Sequence, residues 1–256
     1  MIRVGVVGAG GRMGREVARA VGADPEMHLV AAIDPKAAGD TVEGVIVADD
    51  LPTLLDAGAE VAVDFTAPDA VMPTLRWTVA NGIHAVVGTT GISPADLDEL
   101  RSLTEGATAN VFVAPNFAIG AVLMMRFAEQ AARHLPAAEV IEQHHDRKVD
   151  APSGTALATA RAMAAARGPV PPAPGGDDEH PGARGTDVDG IRVHSVRLPG
   201  LVAHQEVVLG GPGQTLSIRH DTTDRSCFMP GVLMAIKAVG SRAGLTVGLD
   251  VLLEDA

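Results

Sequence analysis

The sequence predicts an α/β protein, with a Rossmann-type doubly wound parallel sheet and a second α+β domain built on a mixed sheet. Three observations predict it. Short, continuous apolar runs alternate with helical stretches as far as Phe117, as strands covered on both faces do. A glycine-rich turn, Gly8 to Gly14, follows the first of those runs at once. Beyond about Ile119 the alternation stops, and two long helical stretches give way to a run of extended segments.

Each element has a local reason. Val4 to Val7 is an unbroken apolar strand, and Arg15 to Val21 reads as the helix after the glycine turn. Leu29 to Ile33 is the next strand, ending at Asp34. Val61 to Phe65 follows, and Thr66-Ala67-Pro68-Asp69 opens a helix, because proline suits an early helical position. His84 to Val87 is a strand closed by Gly88-Thr89-Thr90-Gly91, with Ser93-Pro94 starting the helix beyond it. Asn110 to Val113 ends at Ala114-Pro115-Asn116-Phe117. The second part begins with a helix from Gly120 to His134, a short run from Glu139 to Glu142, and an Ala-rich helix from Ala156 to Arg167. Gly168 to Gly190 is crowded with Pro, Gly and Asp and reads as a surface loop. Ile191 to Leu198, Val202 to Leu209 and Gln214 to His220 read as extended; Pro230 to Val239 reads as helix and Leu245 to Leu249 as a last strand.

Composition narrows the function. A net charge of −12, with no Tyr and one Trp, argues against a nucleic-acid partner or an acidic membrane surface. Cys227 stands alone, which leaves no disulfide framework and no Cys-rich metal site. The chain runs straight into a strand with no signal-peptide pattern, and its apolar run from Phe117 to Met125 is too short to span a bilayer. A cytoplasmic location is the expectation.

Gly8-Ala9-Gly10-Gly11-Arg12-Met13-Gly14 has the residues a dinucleotide site needs. The chain must turn tightly, approach a pyrophosphate without side chains in the way, and start a helix whose amides face the phosphates. Asp34 lies about 20 residues beyond Gly14, where a ribose-binding carboxylate belongs. It favours the free diol of NADH over a 2′-phosphate, although Lys36 and Arg12 offer partners for NADPH if they are more than solvated surface cations. Gly88-Thr89-Thr90 and Ala114-Pro115-Asn116-Phe117 end strands on the same ligand edge, where threonine hydroxyls and backbone groups can hold the nicotinamide end. Ordinary strand-to-helix turns would look the same.

The segment from Glu142 to Thr155, Glu-Gln-His-His-Asp-Arg-Lys-Val-Asp-Ala-Pro-Ser-Gly-Thr, reverses the acidic sign of the chain. Histidine is poised to transfer a proton near neutrality, and His144 and Lys148, four apart, can converge. His145, Arg147 and Lys148 offer donors to a carboxylate, and the turn Ser153-Gly154-Thr155 leads into a helix whose amides can cradle one. The pattern fits an acid beside an anion site; it also fits a solvated basic face, or a histidine metal site lacking a recognisable third ligand.

Taken in order, these motifs resemble the 4-hydroxy-tetrahydrodipicolinate reductase family of the diaminopimelate route to lysine, together with Leu198-Pro199-Gly200-Leu201 and Val202 to Glu206. The resemblance implies NAD(P)H reduction of a cyclic dicarboxylate. It makes His144 a proton donor or acceptor and Lys148 a proton donor, and places the substrate carboxylate on His145, Gly154 and Thr155. The cofactor falls on Gly8, Ala9, Gly10, Gly11, Arg12, Met13, Asp34, Gly88, Thr89, Thr90, Ala114, Pro115, Asn116 and Phe117, with no metal. It further implies a homotetramer, residues 1–117 completed by 223–256 as the dinucleotide domain, and 118–222 as the substrate and oligomerisation domain. Hinges near Gly120 and between Asp221 and Arg225 would let such domains close. Many relatives read His-His-Arg-His-Lys where this chain has Asp146 and Arg147 before Lys148, which adds a negative charge near His144. Two rivals stand beside this reading: another small dehydrogenase on the same fold, acting on an amino acid or imine, and a dinucleotide-sensing scaffold without turnover.

Overall fold

The computed structural model describes residues 1–168, 180 and 182–253. The chain divides into two compact units, Met1–Ile119 with Arg225–Ala256, and Gly120–Asp224. In the first, β1 (Ile2–Val7) is followed by α1 (Arg12–Ala23), β2 (Met27–Ile33), a small hairpin of β3 (Thr41–Val42) and β4 (Val45–Ala48), and α2 (Pro52–Asp56). Then come β5 (Val61–Asp64), α3 (Pro68–Ala80), β6 (His84–Val87), α4 (Pro94–Thr104) and β7 (Val111–Val113). The strands are short and almost wholly apolar because helices cover both faces; Val4, Val6, Val63, Val86 and Val87 have no exposed surface beyond 0%.

The second unit runs through α5 (Ile119–Ala132), β8 (Ala137–His144), α6 (Gly154–Ala166), β9 (Thr186–Val188), β10 (Ile191–Arg197), β11 (Ala203–Gly211) and β12 (Gln214–Thr222). Its sheet has the order β12-β11-β8-β10-β9, with β8 and β10 parallel and the other neighbours antiparallel. One core holds it together: Val140, Val193, Val207 and Leu209 of the sheet meet Ala156, Ala160 and Met163 of α6 and Ala128 and Ala132 of α5. The alanines let these helices lie close on the sheet. The chain then returns to the first unit through a 3₁₀ turn (Arg225–Phe228), α7 (Met229–Val239), β13 (Leu245–Val247) and α8 (Asp250–Leu253).

With β13 in place the first sheet has eight strands in the order β13-β7-β6-β5-β1-β2-β4-β3, all parallel except the β3–β4 hairpin. From β1 the chain builds outward on one side through β2 and β4, then crosses to β5, β6 and β7 on the other. The reversal therefore falls between β1 and β5, and such a switch point opens a crevice at the carboxyl ends of the strands. Asn110 ties the returning segment to β7: its side chain donates to the carbonyls of Val239 (3.0 Å) and Gly240, and accepts from Gly244 N–H (3.0 Å).

The fold class is the predicted one, a parallel Rossmann-type sheet plus a mixed-sheet unit. Several local features differ from the sequence reading. The first helix starts at Arg12 rather than Arg15, because Gly11 is its N-cap and Gly14 lies inside its first turn. The β3–β4 hairpin was not predicted; its turn needs positive φ at Glu43 (48°) and Gly44 (81°), and glutamate does not advertise that conformation. The short helix α2 was missed as well. The end of the supposed loop from Gly168 to Gly190 forms β9, joined to β10 by Asp189-Gly190 (φ 51° and 80°), an Asp-Gly hairpin signal hidden in a breaker-rich stretch. Residues 169–179 and 181 of that loop lie outside the described residues. No helix among the described residues is long and apolar enough to cross a membrane.

Candidate active site

The turn after β1 is dictated by steric limits at three glycines. Gly8 has φ +83°, and a Cβ there would lie 2.4 Å from the carbonyl oxygen of Phe65. A Cβ on Gly14 would meet the Gly8 carbonyl oxygen at 2.1 Å, so α1 can rise so close to the turn only without a side chain. One on Gly10 would sit 2.5 Å from the Ala37 side chain and 2.8 Å from Asp34 Oδ2. Gly10 N–H donates to Asp34 Oδ2 and Lys36 N–H to Oδ1, each at 3.0 Å. The glycine turn and the acid at the end of β2 are thus one unit, with the carboxylate oriented by two backbone amides. α1 has no side-chain cap at Gly11, which leaves its first amides to an anion or water. Ala9 is buried, Met13 half-buried, and Arg12 and Lys36 are exposed.

The neighbouring strand ends complete this edge. Gly88 packs under Phe65, whose ring a Cβ at Gly88 would meet at 2.1 Å. Thr89 turns inward: its hydroxyl donates to Asp64 Oδ1 (2.6 Å) and accepts from Thr66 N–H (2.7 Å). The Thr89 hydroxyl is thus engaged by the buried Asp64, while Thr90 is exposed. Burial pushes the Asp64 carboxyl up, an effect the Thr89 and Thr66 hydrogen bonds only partly offset. Ala114 N–H donates to the Val87 carbonyl (3.2 Å), which sets 114–117 beside the 88–90 loop. Pro115 is exposed and Asn116 half-buried, and the Phe117 ring is buried among Phe65 and Phe112. Phe117 offers its backbone to this edge, since its ring belongs to the core.

In the second unit the chemistry gathers at the end of β8. Residues 140, 142 and 144 share one face of that strand, so Glu142 continues the inward line of Val140 and has 0% exposed surface. A carboxylate so placed requires full compensation. Its Oε2 contacts His144 Nδ1 at 2.5 Å and takes Arg197 Nη1–H at 2.9 Å; its Oε1 takes Arg197 Nη2–H at 2.8 Å and Ser153 N–H at 3.2 Å. Burial alone would raise the Glu142 carboxyl, but the bonds from His144, Arg197 and Ser195 outweigh it and hold it down at about 2.

Arg197 reaches Glu142 because β10 runs parallel to β8 with Arg197 level with His144. Its other donors go to the backbone carbonyls of Lys148 (3.2 Å from Nε) and Asp150. That clamps the loop after β8, in which Lys148 N–H donates to the His145 carbonyl at 3.1 Å. His144 and Lys148 therefore lie at a strand end and in a bent turn, not on one helical face. The Lys148 ammonium rests on Asp150 Oδ1 at 2.8 Å, a contact that lowers the Asp150 carboxyl. His145 is half-buried. Ser153 caps α6 by accepting Ala156 N–H (3.2 Å), and a Cβ added at the exposed Gly154 would meet nothing within 4 Å. Thr155 stands in the first turn, its carbonyl accepting the Thr159 hydroxyl, which in turn accepts Gln205 Nε2–H, both at 2.8 Å. An imidazole, a guanidinium and the start of a helix thus surround one buried acid, and the guanidinium in turn holds the turn that carries Lys148. Among the described residues, no group of three or more His, Cys, Asp or Glu side chains is placed to hold a metal ion.

Residues 2–117 match the family model of the dihydrodipicolinate reductase N-terminus, and residues 120–253 that of the dihydrodipicolinate reductase C-terminus. The chain belongs to the dihydrodipicolinate reductase family. It is 54% identical to the 4-hydroxy-tetrahydrodipicolinate reductase of Nocardia farcinica, and 50% identical to that of Moorella thermoacetica, with 98% or more of each chain covered. A solved structure described as a dipicolinate-bound dihydrodipicolinate reductase from Paenisporosarcina sp. TG-14 superposes with a TM-score of 0.87 at 41% identity, over 98% of this chain and 99% of that one. An amine dehydrogenase from Mycobacterium smegmatis, 16% identical with a TM-score of 0.67 over 97% and 95% of the two chains, shares the fold. Membership in the dihydrodipicolinate reductase family accounts for both units of the chain.

Sequence reading passed over Glu142 and Arg197, which the fold brings together from 55 residues apart. One signal was present: an acid two positions after a core valine on a strand must face inward and so needs a cation. Replacing Arg197 with Met leaves that acid buried with fewer partners. Arg197→Met should lose about 3 kcal/mol or more of stability in urea denaturation and speed amide exchange at 146–150, whereas the exposed Arg101→Met should do neither. Equal effects at the two positions would remove the clamp from the account.

Proposed function

We propose that the chain catalyses NAD(P)H-dependent reduction of 4-hydroxy-tetrahydrodipicolinate to tetrahydrodipicolinate, with loss of water, in diaminopimelate and lysine biosynthesis. The observation that carries this reading is the constellation at the end of β8, where His144, Arg197 and the start of α6 meet at Glu142 and Arg197 also holds the Lys148 turn, in a full-length member of a reductase family. The relative from Paenisporosarcina is described as binding dipicolinate, a dicarboxylate, which suits a cationic loop beside a helix N-terminus.

The residues present fit a dinucleotide. Gly8, Gly10 and Gly14 hold a turn that no side chain could enter, α1 presents uncapped amides, and Asp34 stands beside Gly10. Gly8 to Met13 would hold the pyrophosphate, Asp34 the adenosine ribose, and the backbones of Gly88 to Thr90 and Ala114 to Phe117 the nicotinamide end. When bound, the reduced nicotinamide supplies the hydride. His144 and Lys148 deliver or take the proton, and His145, Gly154 and Thr155 hold a substrate carboxylate by ring N–H, helix amide and hydroxyl. Asp34 favours NADH, because a 2′-phosphate would meet a like charge there. The mixed sheet of the second unit supports the expectation of a homotetramer: β12 is an edge strand exposing Leu216 at 40%. A cytoplasmic location suits a biosynthetic reductase of this kind.

Oxidation of NADH and NADPH followed at 340 nm, with substrate made in the cuvette from pyruvate and aspartate semialdehyde by a coupled synthase, tests the reading directly. Synthase-dependent oxidation is the expected result. Silence with both cofactors, despite measured cofactor binding, would shift the activity to another imine substrate or to a sensing role. Lys148→Ala should cut turnover by about 10² or more and leave NADH affinity nearly unchanged; parallel loss of NADH binding would make Lys148 structural. Asp34→Ala should weaken NADH more than NADPH in equilibrium titrations; an equal loss of both would take the cofactor preference away from Asp34.

A further inference from the structure

Buried beneath the catalytic loop, Glu142 touches neither unit's solvent surface nor any group that the proposed reaction consumes. Its contacts nevertheless bear on which atom reacts. An ionised carboxylate can only accept hydrogen bonds. Arg197 meets it with two parallel N–H donors and Ser153 with a third, the arrangement that stabilises the ionised form. The remaining contact, 2.5 Å to His144 Nδ1, therefore carries its hydrogen on the imidazole. A histidine with no such partner exchanges its hydrogen between both ring nitrogens, and each neutral form leaves a different atom to receive a proton.

We infer that Glu142 is a positioning residue that locks His144 in its Nδ1–H form, so that Nε2 is the ring atom exchanging a proton with the substrate. The inference rests on the reductase reading of His144. The same carboxylate sets the acid's surroundings. Through Arg197 it fixes the carbonyls of Lys148 and Asp150, and through Ser153 N–H it fixes the cap of α6. One buried acid thus aligns the imidazole, the lysine-bearing turn and the helix start. Glutamine at 142 would keep the shape but bring an NH₂ group that can donate to Nδ1, which stabilises the opposite tautomer and costs the bidentate charge pairing with Arg197.

Two measurements decide it. Magic-angle-spinning ¹⁵N NMR of histidine-labelled protein, with the His144 signals identified by their absence in His144→Asn, should show a pyrrole-type Nδ1 and a pyridine-type Nε2 in the neutral ring. The reverse pattern overturns the inference, and this readout needs no mutation at Glu142. In Glu142→Gln, turnover should fall by about 10² or more, since a wrong-tautomer histidine costs at least that in catalytic systems of this type. KM for the dicarboxylate and NADH affinity should change less than about threefold, in keeping with a loss confined to the proton-transfer step. A raised KM with unchanged kcat would reduce Glu142 to a binding scaffold and overturn the inference. Undiminished turnover in His144→Ala would instead withdraw the acid role of His144, and with it the catalytic consequence, while the ¹⁵N pattern still reports the lock.

Discussion

A carboxylate with no access to water is the constraint around which the second unit is organised. Glu142 cannot remain charged inside the protein unless each of its lone pairs is met, and donors from three separate chain segments meet them. Those segments are the end of β8, the end of β10 and the start of α6, so satisfying the charge also fixes their mutual positions. With its carboxyl held at about 2 against an ordinary 4.5, the group contributes about 3 kcal/mol at neutral pH. Because the folded value lies below the unfolded one, that contribution is complete above the ordinary range and drains away as pH falls from about 4.5 toward 2. Replacing any one partner strands the charge, which is why so much of the site hangs on it.

The first unit solves a different problem with steric means. The edge at the end of β1 is shaped by what is missing: side chains at Gly8, Gly10 and Gly14 would collide with Phe65, Asp34 and Gly8 respectively. Behind that edge sits Asp64, a second buried acid with the opposite solution. It has hydroxyl and amide donors from Thr66 and Thr89 but, among the described residues, no cation, and burial therefore raises its carboxyl where Arg197 helps to lower that of Glu142. Two inward-facing acids, one at the end of β5 and one near the end of β8, support two loops with different electrostatics.

Most of this was legible in the sequence where the constraint was local. Apolar runs of four residues, glycines where a Cβ would collide, Asp34 at its spacing, and Ser153 before Gly154 each carry their reason within a few residues. What escaped depended on distance. Nothing near Glu142 in the chain announces Arg197, and nothing near Thr89 announces that Asp64 will claim its hydroxyl 25 residues away. The two hairpins escaped for another reason: strands of two to four residues are too short to show a period, and the positive φ of Glu43 has no compositional mark. The family motif pointed to His144 and Lys148; the fold adds the buried acid that holds them.

The most direct test of that account is the ionisation of Glu142 itself, followed by ¹³C NMR of glutamate labelled at the carboxyl carbon, with its signal assigned by its loss in Glu142→Gln. The resonance should stay at its ionised position as pH is lowered from 7 through about 4.5, while solvent-exposed glutamates titrate around it. A midpoint in the ordinary range would mean that the acid is protonated as easily as a surface residue, and that Arg197, Ser153 and His144 are not held in place by its charge.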